Sequence, residues 1–278
     1  MTRSATWTLP AVLALTLALA ACTREPDAAD PAASAAPPPT GAQPVAASEP
    51  VELEDVVETT ADYIVGISYP AGVERYPGLA AELKRYADGA RAELMDAVEQ
   101  RGDEPGAGLY DLSLSFTEVL DSPTLVAVAA DGSMYTGGAH AAPLLARFVW
   151  LPQQQRMLRA QDLIPTPEGW AAVSAHVREQ LHTALSQRID ADKLPPEQRA
   201  EVVRTAGGMI DEGTEAAADN FAQFEPVARP DGMLSGLRFV FPPYQVGPYS
   251  DGTQSVQVSS SVLLPYVASE YRPLFAGS

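Results

Sequence analysis

Few side chains of this 278-residue chain have the types and spacing that catalysis requires. It contains three histidines and a single cysteine. His176 and His182 are six residues apart on a predicted helix, where about 100° per residue turns them roughly 120° from each other, so they cannot bind one metal. Asp190 and Asp192 lack the glycine and distal glutamate of a calcium loop. The sequence therefore predicts no metal site and no cofactor.

Paired carboxylates are the second kind of chemistry to consider, because glycoside hydrolysis uses two of them. Glu118 and Asp121 lie near the end of a predicted strand, but nothing in the sequence fixes the separation that such a reaction needs. No G-x-S-x-G nucleophile motif is present. We therefore assign no catalytic residue, and a hydrolase acting on cell-wall glycan stays open as the alternative function.

The segment 133–143, SMYTGGAHAAP, is the most unusual stretch. Two glycines and a histidine interrupt what otherwise has the pattern of a strand, and glycines there indicate a bulge or the close approach of a ligand or another backbone. We predict Tyr135, Gly137, Gly138 and His140 as binding residues. Two roles are open for His140, which either donates to a ligand or orients the turn through a backbone carbonyl.

A second candidate stretch is the loop 242–252, PPYQVGPYSDG. Its three prolines cannot donate to a sheet ladder, so it should form a stiff loop that carries Tyr244 and Tyr249. Aromatic side chains dominate interface hot spots and also stack on sugars. We predict both tyrosines as binding residues, with half-buried loop packing as the alternative.

The N-terminus predicts the cellular location. Residues 1–21 have one basic residue and a long apolar run, as in a secretory signal peptide. The sequence Leu19-Ala20-Ala21-Cys22 resembles a bacterial lipobox, which implies acylation of Cys22 with lipid chains such as palmitate. Two or more chains anchor a protein stably in a bilayer. Because Thr23 is not the retention aspartate of lipoproteins, we expect the outer membrane, with the protein facing the periplasm.

Charge and composition restrict the partners. The net charge is −18, which disfavours binding to nucleic acid and favours cationic partners. Residues 22–54 are rich in alanine, proline and acidic residues with few large apolar residues, and they predict a disordered tether.

The remaining chain predicts strands and helices that alternate with turns. In the first half we expect a strand at 62–69, a helix at 77–100, and strands at 110–119, at 124–130 and from Leu144, with a hairpin turn at Asp131-Gly132. In the second half we expect a helix that begins at Pro167 with Thr166 as its cap. Another helix starts at 195–196 and presents Val203, Ala206, Ile210, Gly213 and Ala217 on one side. Strands follow at 237–241 and near 256–258.

The segment 133–143 followed by the loop 242–252 resembles a motif order of a known family. The chain resembles the paired envelope domains of RsiV-type anti-sigma factors and of the N-terminal region of PdaC-type peptidoglycan deacetylases, over residues 57–266. The matching positions here are Tyr135, Gly137, Gly138, Ala139, His140, Phe241, Tyr244, Pro248, Tyr249 and Gly252. Gly247 stands where members often have alanine. Neither a sigma-binding segment nor a deacetylase domain accompanies the motifs, so the resemblance implies a module that binds lysozyme or a similar partner without an enzymatic activity.

These observations combine into one prediction. The fold class should be α+β, with antiparallel sheets, packed helices and two coupled subdomains. The chain should divide into a signal peptide at 1–21, a tether at 22–54, a PdaC-like subdomain at 55–160 and an RsiV-like subdomain at 161–278. The predicted function is a lipid-anchored envelope module that recognises a lysozyme-type muramidase, peptidoglycan or another envelope protein. A glycan hydrolase and a structural spacer are the alternatives.

Overall fold

The computed structural model describes residues 51–102 and 108–277. The predicted signal peptide, Cys22 and the tether up to residue 50 lie outside the described residues. Within the described residues no helix combines the length and the apolar character that crossing a bilayer demands. The elements described below all belong to one compact unit.

The fold is α+β, as the sequence predicts. The first half contains strands β1 Val56–Thr59, β2 Tyr63–Ser68, β3 Tyr110–Asp121, β4 Val126–Tyr135, β5 Ala142–Leu151 and β6 Arg156–Met157, with helix α1 at Pro77–Arg101. The second half contains helices α2 Ala160–Leu163, α3 Pro167–Asp192, α4 Pro196–Gly213 and α5 Ser260–Leu263, with strands β7 Phe224–Ala228, β8 Leu234–Phe241 and β9 Gln254–Ser259.

The strands form two sheets. The first has the order β1-β2-β3-β4-β5-β6, and the second has the order β7-β8-β9. All pairs are antiparallel except β2 and β3. That pair is parallel because α1 connects the two strands, and a parallel pair requires such a crossover. The predicted strands and the two long helices are confirmed in position, whereas the sequence analysis missed β1, β7 and the two-residue strand β6.

The two faces of β4 explain why the first half of this strand, 126–130, is apolar throughout. Val126, Val128 and Ala130 pack with α1 in one core. Leu125 and Ala127, on the other face, join a second core that contains α3 and the three-stranded sheet. Because alternate residues of a strand point to opposite faces, a strand covered on both sides must be apolar at every position. The first sheet is thus shared by both cores.

The predicted hairpin turn at Asp131-Gly132 is wrong. Both residues lie inside β4, where Asp131 pairs with Leu145 and Gly132 pairs with Leu144. Gly132 is glycine because a Cβ there would lie 2.1 Å from the Ser113 carbonyl oxygen of β3. The chain turns instead at 136–141, where Gly137 and Gly138 have φ of 101° and 89°. Left-handed backbone is the conformation that glycine supplies without steric cost.

Helix α4 also differs in detail from its predicted face. Val203 is 47 % exposed, and Ala217 is exposed beyond the end of the helix. The buried residues are Ala206, Gly207, Ile210 and Gly213, with half-buried Val202 packed against the same core. Residues four apart lie on one helix face, so the buried stripe passes through position 202 rather than 203.

Candidate functional site

Two loops from the two halves of the chain bring the predicted binding residues together. One loop joins β4 to β5 and carries His140, and the other joins β8 to β9 and carries both tyrosines. The rings of His140 and Tyr249 stack with centroids 4.6 Å apart and planes inclined by 19°. The Tyr244 ring lies 5.7 Å from that of Tyr249. We call these three residues the aromatic cluster.

Exposure makes the aromatic cluster accessible to a partner. Tyr244 is 56 % exposed, His140 is exposed and Tyr249 is half-buried. The His140 ring has no hydrogen bond to any of the described residues, so within them it packs on Tyr249 and orients no carbonyl. A platform of stacked rings with one freely exposed tyrosine is typical of surfaces that bind protein partners or sugars.

The β4–β5 loop is held by its own backbone and by Tyr135. The Tyr135 hydroxyl donates to the Gly138 carbonyl oxygen at 3.1 Å. Added Cβ atoms at Gly137 and Gly138 would meet nothing within 4 Å. These two glycines are therefore needed for the left-handed turn, and the glycine-specific close approach in this region belongs to Gly132. Of the four predicted loop residues, Tyr135 and the glycines shape the turn and His140 presents its ring.

The β8–β9 loop is fixed at both ends. Gln245 donates through Nε2 to the carbonyl oxygens of Gly213 at 3.0 Å and Asn220 at 2.9 Å. Asp251 forms an ion pair with Arg188 of α3 at 2.7 Å. These anchors order the loop before any partner binds, which reduces the entropy that binding would otherwise cost.

Tyr244 itself has strained backbone. Its φ is 74°, in the left-handed region where a bulky residue is a rare outlier. Such conformations cost about 1–3 kcal/mol and cluster at functional sites. The bonds from Tyr244 N to Gly247 O at 2.9 Å and from Gln245 N to Pro242 O at 3.1 Å hold this conformation, and together they keep the phenol exposed.

Sequence reasoning missed the residues that support the cluster. Gln245, Asp251 and Arg188 carry no local signal, since a glutamine in a loop and one more acid in a chain with 36 acidic residues are unremarkable in composition. Gly213 offered the one readable hint. A Cβ at that position would lie 2.0 Å from the Gln245 carbonyl oxygen, so the end of α4 needs glycine to admit the loop.

Glu118 and Asp121 are the carboxylate pair that the hydrolase alternative would use, and both lie beside an arginine. The Arg75 guanidinium contacts Asp121 closely and lies 4.0 Å from Glu118. The Tyr76 hydroxyl donates to Asp121 Oδ1 at 2.9 Å. Both carboxylates thus lie beside one guanidinium, and nothing in their geometry sets them apart as the acid and the base that glycoside hydrolysis uses.

The remaining histidines and acids also form no joint site. His182 Nε2 lies 3.0 Å from Asp211 Oδ1, and Asp190 pairs with Arg199 at 2.5 Å. Within the part of the chain that the structure describes, no three histidine, cysteine or acidic side chains are close enough to hold a metal ion.

One family model matches part of the chain that carries this surface. The model of the family described as "Protein of unknown function (DUF3298)" matches residues 170–261. The matched segment contains the β8–β9 loop with Tyr244 and Tyr249, whereas His140 lies outside it. The aromatic cluster thus combines residues from inside and outside the matched segment.

Two solved structures are similar to this chain. A DUF3298 family protein from Pseudomonas aeruginosa is 18 % identical, with a TM-score of 0.50 over 83 % of this chain and 99 % of its own. A DUF3298 family member from Bacteroides fragilis is 16 % identical, with a TM-score of 0.44 over 78 % of this chain and 93 % of its own. Comparison with curated proteins gave no match. At these identities the Pseudomonas structure supports the α+β fold and nothing more specific.

Proposed function

We propose that this protein is a cell-envelope binding module that recognises a lysozyme-type muramidase through the aromatic cluster. The observation that carries the proposal is the stacking of His140 on Tyr249 beside exposed Tyr244, across two loops more than 100 residues apart. The packing brings together the three side chains that the resemblance to RsiV-type and PdaC-type domains names as motif residues.

Electrostatics supports a basic protein as the partner. The chain has a net charge of −18, and opposite charge accelerates association with a cationic protein. Peptidoglycan and other envelope proteins belong to the same proposal as further partners, since aromatic rings also stack on sugars. The proposed setting is the periplasmic side of the outer membrane, with acyl chains on Cys22 as the anchor.

The test is calorimetric titration of residues 46–278 with a c-type lysozyme at low and at physiological salt. Binding at micromolar affinity or tighter should persist at physiological salt. Combined replacement of His140, Tyr244 and Tyr249 by alanine should weaken it by at least about tenfold, because central aromatic residues carry most of the energy of an interface. His176→Ala, which removes a half-buried histidine of α3, is the matched control.

Other outcomes would contradict the proposal. Binding that disappears at physiological salt would mean only that an acidic surface meets a basic protein. Full affinity in the triple variant would place the site elsewhere. Release of soluble sugar from purified peptidoglycan by the protein alone would replace the proposal with the hydrolase, and absence of any ligand would favour the structural spacer.

A further inference from the structure

The first sheet ends at β1, whose backbone forms an open edge. Among the described residues β1 has one neighbour in the sheet, β2. The Asp62 carbonyl oxygen accepts from the Tyr110 N–H at 3.0 Å, on the side of β3. The Tyr69 N–H donates to Asp55 Oδ1 at 2.9 Å, on the side of β1. Because successive residues of a strand direct their backbone groups to opposite sides, the odd-numbered residues of β2 face β1.

The register between β1 and β2 then shows which backbone groups are unpaired. Val56 lies opposite Ile67, and Glu58 lies opposite Val65, so these are the hydrogen-bonded pairs of the two strands. Val57 lies between them and directs its N–H and C=O groups to the open edge. No strand or loop pairs with this edge within residues 51–102 and 108–277. Free backbone groups along a sheet edge are a template for another strand.

The outer face of the edge, away from α1, is apolar and uncovered. The Val57 side chain is 87 % exposed and lies opposite Gly66 of β2. A Cβ at Gly66 would meet nothing within 4 Å. Ile64, two residues away on the same face of β2, is also exposed. A strand that pairs with β1 would therefore cover an apolar side chain on this face.

The inner face of the edge borders a groove of about 340 Å³ between α1 and the segment that leads into β1. We call it the β1 groove. Half-buried Leu53 and Val56 form part of its apolar wall. Glu52 and Glu54 also line it, and both are exposed. Neither glutamate has an ion-pair partner among residues 51–102 and 108–277.

The charges around the β1 groove do not cancel. Lys84 pairs with Asp88 at 2.7 Å, and Arg91 pairs with Glu58 at 2.7 Å, so both cations of the groove already have partners. The segment 51–74 contains six acidic residues and no basic residue. A cationic side chain is therefore the complement that the groove lacks.

We propose that an extended cationic segment of a partner protein adds to β1 as an antiparallel strand. Its backbone would bond to Val57, its apolar side chains would cover Val57, and the alternate lysine or arginine side chains would enter the β1 groove beside Glu52 and Glu54. Strand addition takes affinity from main-chain hydrogen bonds and specificity from sites for alternate side chains. The residues 22–50 of the chain itself are rich in proline and acids, so they lack the donors and the charge that this edge requires. The proposal goes beyond the aromatic cluster and requires no muramidase.

Three short synthetic peptides of equal length test the proposal by calorimetry with the full chain at physiological salt. The first alternates lysine and valine, the second alternates glutamate and valine, and the third has the residues of the first in two blocks. The alternating lysine–valine peptide should bind at least about tenfold more tightly than the others, because one has the wrong charge and the other loses the alternation of faces. Equal binding of the block peptide, or no binding of the alternating one, would overturn the proposal.

Backbone methylation separates strand addition from contacts of side chains alone. In an antiparallel pair, the peptide residue opposite Val57 is a valine that directs its N–H to β1. N-methylation of the valines should therefore weaken binding about tenfold or more. N-methylation of the lysines, whose N–H groups point away from β1, is the matched control and should preserve most of the affinity. Equal affinities of the two methylated peptides would contradict the proposal.

Variants of Val57 locate the site on the protein. Val57→Pro removes the donor at the open edge and should weaken the lysine–valine peptide about tenfold. Val57→Thr keeps the N–H and the β-branched shape, so it should weaken the peptide less than about threefold. Unchanged affinity in Val57→Pro would place the peptide elsewhere. Should Val57→Pro fail to fold, the methylated peptides decide the question with the unmodified protein.

The role of the two free glutamates is measured against a change of equal charge. Glu52→Gln combined with Glu54→Gln should weaken the lysine–valine peptide about fivefold. Glu179→Gln combined with Glu197→Gln, which removes two exposed acids of α3 and α4, is the control and should leave affinity nearly unchanged. Equal weakening by both pairs would mean attraction to the overall charge and would overturn the proposal.

A second copy of the chain is the competing occupant of the edge. Sedimentation of the full chain at increasing concentration should show a single species, because the acids beside β1 would repel those of another copy. A dimer that Val57→Pro dissociates would assign the edge to self-pairing and reject the proposal. None of these measurements uses lysozyme, so strand addition and the muramidase function are accepted or rejected separately.

Discussion

Two of the places where the two halves of the protein meet use opposite chemistry. At the exposed meeting place, His140 stacks on Tyr249. At the buried one, Arg147 of β5 lies 2.6 Å from Glu225 of β7, with side chains that are only 6 % and 10 % exposed. Aromatic rings thus lie near the solvent, whereas an ion pair is buried between the sheets.

The difference shows which of the two is available to a partner. Glu225 also accepts from Arg238 at 3.2 Å, and Arg147 donates to Asp131 at 2.9 Å. The Arg147 backbone N–H donates to Gln223 Oε1 at 2.7 Å. Buried charges whose partners are all internal specify how the sheets pack. The polar atoms of the aromatic cluster take no part in the packing of the sheets, so the cluster remains available to a partner.

The largest expected effect breaks the buried meeting place. Glu225→Gln should lower the free energy of unfolding by about 3 kcal/mol, because it removes the buried carboxylate that pairs with Arg147 and leaves that guanidinium with the exposed Asp131 alone. Urea denaturation measures it. Asp231→Asn, which disrupts an exposed pair with Arg229, should cost less than about 0.5 kcal/mol.

An apolar replacement of the same pair sharpens the result. The double variant Arg147→Met with Glu225→Leu should recover part of the stability that Glu225→Gln loses, because the charges that then lack partners, on Asp131 and Arg238, are exposed to solvent. A double variant less stable than Glu225→Gln would show that the pair contributes net stability and not only specificity. Lysozyme affinity of any folded variant should change by less than about twofold, since the aromatic cluster is untouched.

The next prediction concerns the pairing of strands β3 and β4. Gly132→Ala should destabilise by about 2 kcal/mol, since its Cβ would overlap the Ser113 carbonyl oxygen and overpacking costs about 1–3 kcal/mol. Gly66→Ala in β2, whose Cβ would meet nothing within 4 Å, is the matched control. Thermal unfolding of the two variants should differ clearly. Equal Tm values would mean that β3 and β4 can separate without cost.

For the stacked pair of His140 and Tyr249 we expect the reverse, which is a small loss of stability and a large loss of affinity. Tyr249→Ala should cost about 1 kcal/mol of stability, which is the size expected for one aromatic pair, but it should weaken lysozyme by tenfold or more. Tyr249→Phe keeps the ring and should preserve most of the affinity. A Tyr249→Ala protein that is strongly destabilised but binds lysozyme normally would show that the cluster has a structural role and not a binding role.

The smallest expected effect is a loss of stability at alkaline pH, and it comes from a tyrosine that packs against the core around α1. Burial raises the pKa of Tyr69 to about 12, with further contributions from Asp88 and Asp55. The folded state then holds its proton more tightly than the unfolded state, whose pKa is about 10. The contribution of Tyr69 to the stability of the folded protein is complete below pH 10 and is lost as the pH rises towards 12.

Urea denaturation at pH 8 and pH 11 measures this loss. Tyr69→Phe should reduce the difference in stability between the two pH values. Burial also raises the pKa of Tyr86, and Asp131 raises it further, so Asp131→Asn should lower that pKa and link the alkaline response to the buried meeting place. An unchanged pH dependence in Tyr69→Phe would assign the loss to other groups.

Regular elements could be predicted because their signals are local. Pro167 at the start of α3 and Thr166, which accepts from the Gly169 N–H at 3.3 Å, are read from adjacent residues. The buried face of α3 follows from helical periodicity. The missed strands β1 and β7 are short, and the Asp131-Gly132 signal failed because the turn preference of that pair is weaker than the close packing that Gly132 permits.

The sequence by itself determined the α+β class, the two long helices and the residue types of the candidate site, because capping, periodicity and turn chemistry act over a few neighbours. Only the tertiary structure decided that His140 stacks on Tyr249, that Arg75 pairs with Asp121 and lies near Glu118, and that a cleft opens between α3 and α4. These contacts join residues that are distant in sequence, and their geometry depends on how two sheets pack over shared cores.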